Sequence, residues 1–397
     1  MIEVNGSFAD AIVFNDLVED GAIKQITGLC NNEASKGSKI RVMSDIHEGN
    51  GCTIGTTMTI HDRVTPNLVG VDIGCGMLCV KLEDSEIDFR LLDAVIHKNI
   101  PSGFNSRETI YTHHGDIDLN NLHCVAHMNK LDRAYYQLGT LGGGNHFIEI
   151  DKGSDGSYYL VIHSGSRNIG KQVAEHYQKL AINSMYSYRE NYRKMIIDEL
   201  TSSGRSRLIG ERLGVLPHII DDLAYLTGKD MENYLDDMNL CQWYADINRK
   251  IIAEIIINEM KFTSGGMFTT IHNYIDCENM ILRKGAISAQ KDEMVIIPMN
   301  MRDGSIIAIG KGNSDWNFSA PHGAGRIMGR REAKRTFKLE DFQESMKGIY
   351  TTSVSQNTID ESPFVYKPIE EIIKYIDDTV DIVDVIEPVY NFKNDGR

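Results

Sequence analysis

Proline is scarce in this chain, at eight residues in 397, and nothing of low complexity, rich in serine and proline, or repeating at a fixed period interrupts it. Length alone would allow two or three domains, but with no linker in sight the expectation is a single compact domain over residues 1–397. Long apolar runs are missing too. The stretch 251–260 is broken by Glu254, Asn258 and Glu259, and residues 1–20 carry early acid and no basic block ahead of an apolar one. Neither a membrane span nor a signal peptide is expected. No Cys-x-x-Cys pair occurs: Cys30, Cys52, Cys75, Cys79, Cys124, Cys241 and Cys277 are odd in number and scattered, which argues against a disulfide framework and for a reducing, cytoplasmic setting. The usual nucleotide signatures are absent as well. Gly49-Asn50-Gly51 lacks the rest of a Rossmann fingerprint, and no Gly-x4-Gly-Lys-Ser/Thr is present. Positive charge is in deficit, the formal net charge being −15. That acid is uneven, with Glu370, Glu371, Asp377, Asp378, Asp381 and Asp384 near one end and Arg326, Arg330, Arg331, Lys334, Arg335 and Lys338 as an opposite pole, so a local groove for phosphate is not excluded.

What the chain does have is residues 322–331, His-Gly-Ala-Gly-Arg-Ile-Met-Gly-Arg-Arg. Gly323 and Gly325 permit close backbone approach, and the run from Ala333 to Lys338 has helical character, so an anion is expected at the N–H groups of a helix start. The same field disfavours an imidazolium at His322, leaving a neutral ring able to act as nucleophile or base. In isolation, a helix start with a solvated basic face would look the same.

Other polar clusters sit beside glycine, asparagine or serine. They are Ser44-Asp45-Ile46-His47, Gly70 to Met77 around Asp72 and Cys75, Gly142 to Glu149 around His146, His163 to Asn168, and His272-Asn273-Tyr274. Each is expected to end a strand: Val69, Val71 and Ile73 alternate before Cys75, and apolar runs precede His163 and His272. Asp72, Cys75, His146, His163 and His272 then make five candidate metal ligands, one more than a closed structural zinc site uses. Either two ions share them or one site keeps open positions. Thiolate and imidazole suit zinc, while the carboxylate and open positions also allow manganese. Cys79, among Leu78, Val80 and Leu82, reads as core. His113, His114, His123, His127 and His176 read as structural or surface residues.

Periodicity predicts a helix near Asp16 to Asn31, strands near Lys39 to Met43 and Met77 to Leu82, and a hairpin of Phe147 to Ile150 with Tyr158 to Ile162. Residues 171–261 read as a helical insertion, 262–320 return to strands, and Ile369 to Val385 reads as a closing acidic amphipathic helix. The class is α+β, with mixed sheets.

Taken together, Gly70 to Met77, Leu138 to Glu149, His163 to Gly170, His272-Asn273, Arg283-Lys284-Gly285-Ala286 and His322 to Arg326 stand in the order of one family, and over nearly its whole length the sequence resembles the RtcB-type RNA ligases. The resemblance implies a single domain with a deep metal-containing cleft. It also implies an enzyme joining RNA 3′-phosphate or 2′,3′-cyclic phosphate ends to 5′-hydroxyl ends with GTP and two manganese ions, in RNA repair or tRNA splicing. By the same resemblance His322 takes the guanylate as a His–GMP phosphoramidate, and Asp72, Cys75, His146, His163 and His272 are the manganese ligands, with Cys75 bridging. Asn145, Glu149, Asn273, Lys393 and the backbone of Ala324 and Gly325 resemble guanylate contacts, and Arg167, Lys284 and Arg326 match positions that handle phosphate charge or support catalysis. Asp45 stands in the family's Pro-Asp-x-His segment, and an archease-type activator is the protein partner the family offers. Gly143, Gly329 and Ser44 depart from the usual residues, and four residues follow Lys393, which together suggest a divergent branch. Two other readings stand beside this one: a metal-dependent RNA phosphodiesterase or cyclic phosphatase without guanylylation, and a non-catalytic RNA-end binder.

Overall fold

Two sheets and a pair of long helices carry the molecule, whose computed structural model describes residues 1–111 and 117–396. His113 and His114 lie outside the described residues. The first sheet runs, in spatial order, Ile2–Asn5, Asp10–Val13, Ile40–His47, Ile54–Thr59, Ile281–Lys284 and Asn273–Asp276. The larger one runs Ser264–Ile271, Gly76–Leu82, Tyr158–Ser164, Phe147–Lys152, Val380–Phe392, Gly304–Gly310 and Met294–Asn300, antiparallel throughout, with the short strand Tyr350–Thr351 alongside Val380–Phe392. Its two outer strands approach each other, the Ile296 N–H donating to Thr270 Oγ1 at 3.2 Å, so the sheet curls into a half-barrel.

Both faces of that sheet are covered, which explains why its strands read as near-continuous apolar runs. Leu78, Val80, Ile148, Ile150, Leu160 and Ile162 point to the convex side and share a core with Tyr234, Met238, Cys241, Tyr244 and Ile252 of the helix Gly228–Met260. Met77, Cys79, Phe147 and Val161 point inward and pack on Ile296, Ile307 and Ile386. Cys79 is thus core. Residues 171–261, expected to be helical, fall in Arg167–Ser202 and Gly228–Met260 with short helical pieces between them.

Two expectations fail. Residues 369–385 do not form one helix: the helix stops at Ile376, and Val380–Phe392 is a strand at the centre of the large sheet. Acids at 381, 384 and 387 mimic helical spacing, but Val380, Ile382, Val383, Val385 and Ile386 are β-branched and fit a pleated surface better. Nor does His322 open a helix. It follows the strand Ser319–Pro321, and the helix Arg330–Thr336 begins eight residues further on.

Candidate metal and nucleotide cleft

The rim of the half-barrel gathers the polar clusters. Cys75 and His146 each precede a strand and do not end one, while His163 and His272 stand at strand ends. In an antiparallel sheet the end of one strand lies beside the start of the next. The order Ser264–Ile271, Gly76–Leu82, Tyr158–Ser164, Phe147–Lys152 therefore puts all four at one rim, with Ile271 opposite Gly76, Gly76 opposite Ser164, and His163 opposite Phe147.

There the side chains converge. Cys75 Sγ lies 3.2 Å from His163 Nε2 and 3.4 Å from His146 Nε2, His146 Nε2 lies 3.1 Å from Asp72 Oδ2, and His163 Nε2 lies 3.4 Å from His272 Nε2. The donor atoms fall into two groups, Cys75 with His163 and His272, and Asp72 with Cys75 and His146; Cys75 belongs to both. The imidazoles are oriented from behind. His146 Nδ1 donates to the Leu141 carbonyl at 2.9 Å and His163 Nδ1 to the Asn145 carbonyl at 3.1 Å, which leaves both Nε2 lone pairs turned on the sulfur. Burial, then neighbouring histidines, holds His163 and His272 well below the usual histidine range, so a proton does not relieve the crowding of lone pairs. Burial, then Asp72, pushes the Cys75 thiol up; a cation at the cluster would reverse that sign. A thiolate, three imidazoles and a carboxylate facing one another in this way fit a divalent metal site.

The loops bearing these groups are stitched from the long helix. Arg249, fully buried, donates to the carbonyls of Gly74 and Ser164 at 2.8 and 2.9 Å. Asn248 accepts the Gly139 N–H at 2.8 Å and donates to Ser164 Oγ at 3.0 Å. Sequence reasoning missed both, because they lie in an amphipathic helix with no motif around them. At Gly142, with φ of +91°, a Cβ would stand 2.0 Å from Arg167 Nη1 and 2.6 Å from His146 Nδ1, so only glycine fits that turn.

His322 faces the cluster, its ring centroid 5.0 Å from that of His272. Asp45, buried on the strand Ile40–His47, accepts both the His322 backbone N–H at 3.0 Å and Nδ1 at 2.5 Å. In the neutral ring Nδ1 then carries the proton and Nε2 the lone pair. The group beside His322 is this carboxylate, not a helix N-terminus. Gly325, φ +72°, leaves room for the Asp45 carbonyl, which a Cβ would meet at 2.4 Å.

A cavity runs inward from His322, lined by Asn145, Phe147, Glu149, Tyr366 and Lys393, and a wider cleft bounded by Asp72, Cys75, Asn273 and Gly329 opens outward; Arg326 and Arg330 border both. Lys393, 5% exposed, lies over the Phe147 ring with its amine 3.2 Å from the Asn145 carbonyl. Burial raises Glu149 to about 7 against the pull of Lys393 and Asn391. The Ala324 N–H is bonded to the Pro298 carbonyl at 3.2 Å, and Asn273 braces the Gly285 N–H at 3.0 Å. Arg167, at the start of its helix, donates to Gly103 O at 2.8 Å and Thr140 Oγ1 at 3.1 Å. Lys284 lies apart from both cavities: its amine is 3% exposed, on the carbonyls of Asn50 and Asn67, and burial lowers it to about 8. The cleft also holds His47 of the Ser44–His47 cluster, together with Glu361 and Tyr366, which sequence reasoning did not place there.

The family model described as tRNA-splicing ligase RtcB matches residues 34–123 and 112–394. Among curated relatives, the RNA-splicing ligase RtcB of Escherichia coli K12 is 28% identical, the match covering 88% of each chain. The tRNA-splicing ligase RtcB of Aeropyrum pernix is 26% identical over 92% of this chain and 89% of its own, and the RNA-splicing ligase RtcB2 of another Escherichia coli strain is 26% identical over 97% and 95%. With matches that run nearly end to end and a rim of histidine, cysteine and aspartate donors facing His322, this chain belongs to the RtcB family.

Proposed function

We propose that the protein is an RNA ligase that joins a 3′-phosphate or 2′,3′-cyclic phosphate end to a 5′-hydroxyl end through guanylylation of His322. The observation that carries this is the pairing of His322 with Asp45 beside the donor cluster. A carboxylate on Nδ1 presents Nε2 as a nucleophile and holds the ring still, as an orienting acid does for a catalytic histidine. Nε2 attacks the α-phosphorus of GTP, an N–P bond forms, the bond to the β-phosphate oxygen breaks, and pyrophosphate leaves. The RNA 3′-phosphate oxygen then attacks the same phosphorus, freeing His322. Finally the 5′-hydroxyl oxygen attacks the activated 3′-phosphorus, GMP departs, and the hydroxyl proton goes to solvent. A cyclic end is first opened by water to a 3′-phosphate.

Asp72, Cys75, His146, His163 and His272 would hold two manganese ions with Cys75 common to both; when bound, these offset charge on the phosphate oxygens. The remaining roles belong to side chains. Phe147 supplies an apolar wall for the base, Glu149 accepts its N–H groups, and Lys393 stands beside the nucleotide. Arg326 and Arg330, between the cavity and the outer cleft, meet phosphate from either side. The test is transfer of label from α-labelled GTP to protein loaded with manganese under reducing conditions. Acid-labile label that is absent in His322→Ala and chased off by RNA with a 3′-phosphate is expected. Absence of label from the metal-loaded protein would leave the phosphodiesterase reading.

A further inference from the structure

Besides Glu149, the cavity inward of His322 holds a second carboxylate, and this one is ringed by cations. Glu361, in the single turn Ile359–Glu361, is 2% exposed and lines the inner cavity. Its Oε1 accepts from Arg330 and, at 3.4 Å, from Arg326; its Oε2 accepts from the Tyr366 hydroxyl at 2.8 Å and the Lys393 amine at 3.3 Å. All four partners line that same cavity.

A buried carboxylate is retained only where its partners offset the lost hydration. Burial alone would raise Glu361; Lys393, Arg330 and Arg326 outweigh it and hold it down at about 2, so it stays ionised throughout the working range of the protein. The neighbouring Asp360 takes Arg330 at 2.9 Å and Lys334 at 3.3 Å, and its carbonyl takes Arg326 Nη2 at 2.7 Å. Four cations (Arg326, Arg330, Lys334, Lys393) thus surround these two carboxylates, and with Glu149 also facing Lys393 the group keeps one positive charge in excess when Glu149 is ionised. The cations also divide by place: Lys393 borders the inner cavity alone, whereas Arg326 and Arg330 border the outer cleft as well.

We propose that Glu361 is a positioning residue that aims Lys393 at the nucleotide and Arg326 and Arg330 at the RNA 3′-phosphate, so that one carboxylate ties the two substrate subsites together. This rests on the guanylylating-ligase reading. Without its charge, three like-charged groups would repel one another and sample several rotamers, at a cost in both subsites that the unreacted His322 would not share. A charge-assisted hydrogen bond is worth roughly ten- to a hundredfold in affinity.

The test uses the full-length, manganese-loaded protein in three forms: wild type, Glu361→Gln and Glu361→Asp. Measured for each are the GTP dependence of His322 labelling, the rate at which preformed label moves to RNA with a 3′-phosphate, and the melting temperature. Expected for Glu361→Gln is an apparent KM for GTP raised about tenfold, with labelling at saturating GTP within a few-fold of wild type, and a transfer rate to RNA lowered by roughly a hundredfold. Glu361→Asp, which keeps the charge one methylene further back, should recover part of both losses. A folded Gln variant with unchanged KM and transfer rate overturns the proposal, as do losses in both steps that merely follow the folded fraction. Should Glu361→Gln not fold, the Asp variant decides: equal loss in both steps with an unchanged KM overturns the proposal. If wild-type protein takes no label from GTP, the ligase reading itself falls and the proposal with it.

Discussion

Asp45 fixes which nitrogen of His322 is free, and that dependence can be measured. Asp45→Asn keeps the volume and an oxygen that can accept both N–H groups, but it removes the negative charge that fixes the Nδ1–H tautomer and offsets positive charge on the ring as Nε2 reacts, so guanylylation should fall on the order of 10²- to 10⁴-fold while the melting temperature moves little. Equal loss of both would make Asp45 merely structural. A second residue-scale expectation concerns Glu149 and Asp151, neighbours on the inner face of one strand. Both are buried and raised, Asp151 well above the carboxylate range by burial and then by Glu149, and its two oxygens have no hydrogen-bond partner. A folded-state pKa above the unfolded one means the native state binds more protons, so this pair contributes stability that is lost as pH rises from about 4.5 through about 7, opposing the buried His163 and His272, whose depressed values make the metal-free protein lose stability as pH falls. Urea midpoints at pH 5 and pH 8 for wild type and Asp151→Asn would isolate it: relative to wild type, the variant should gain stability at pH 8 over pH 5. Guanylate affinity should move the other way, strengthening through pH 7 as Glu149 ionises and can accept the base's donors. At this scale the sequence was readable where a reactive side chain stood beside glycine, as at Cys75, His146 and His322. It was silent on Glu361 and Arg249, whose meaning comes largely from distant partners, such as Arg330, 31 positions from Glu361, and Gly74, 175 positions from Arg249.

The elements set those partners in place. Strand direction brings Cys75, His146, His163 and His272 to one rim, and the glycine turn at Gly142 lets His146 and Arg167 share a crowded corner. Gly142→Ala should cost about 1–3 kcal/mol of stability by forcing a left-handed conformation on alanine. Its larger effect should be on metal content, since the clash is with His146; manganese stoichiometry near wild type would contradict this. Most elements were legible: the helical stretch, the hairpin from Phe147 to Ser164 and the strands Met294–Asn300 and Gly304–Gly310 follow from apolar periodicity. The segment after Ile376 was not, because three acids spaced by three imitate a helical face while the deciding property is the β-branched run beneath them. The His322 segment failed for a related reason. A helix-forming run does begin nearby, but the backbone turns through Gly325 over Asp45 first, and that contact joins residues nearly 300 apart.

For the whole molecule the charge is −15, and the outer cleft itself carries Glu19, Glu48, Asp72 and Glu332 beside Arg326 and Arg330, so the cations free to meet phosphate are few. RNA affinity should therefore weaken with salt, with a slope set by the few phosphates that Arg326, Arg330 and their neighbours meet. A flat response between 50 and 200 mM salt would contradict that expectation. Removal of metal should loosen the rim shared by four strands: manganese at about a hundredfold excess over its Kd should restore about 2.7 kcal/mol of stability per independent site. Zinc, higher in the usual affinity order, should stabilise as well or better yet inhibit ligation; undiminished ligation with zinc in excess would contradict the assignment.

The strand Val380–Phe392 has a consequence for how the protein is made. It pairs with Phe147–Lys152 along one part and Gly304–Gly310 along another, so it joins the two halves of the curled sheet, although it follows every other strand in the chain. Ribosomes release a polypeptide from its N-terminus, and the half-barrel therefore waits, with its apolar inner face unsealed, until residues 380–392 have emerged. The two halves of the sheet can be joined only after that strand has been synthesised, and products cut short before residue 380 should depend on chaperones.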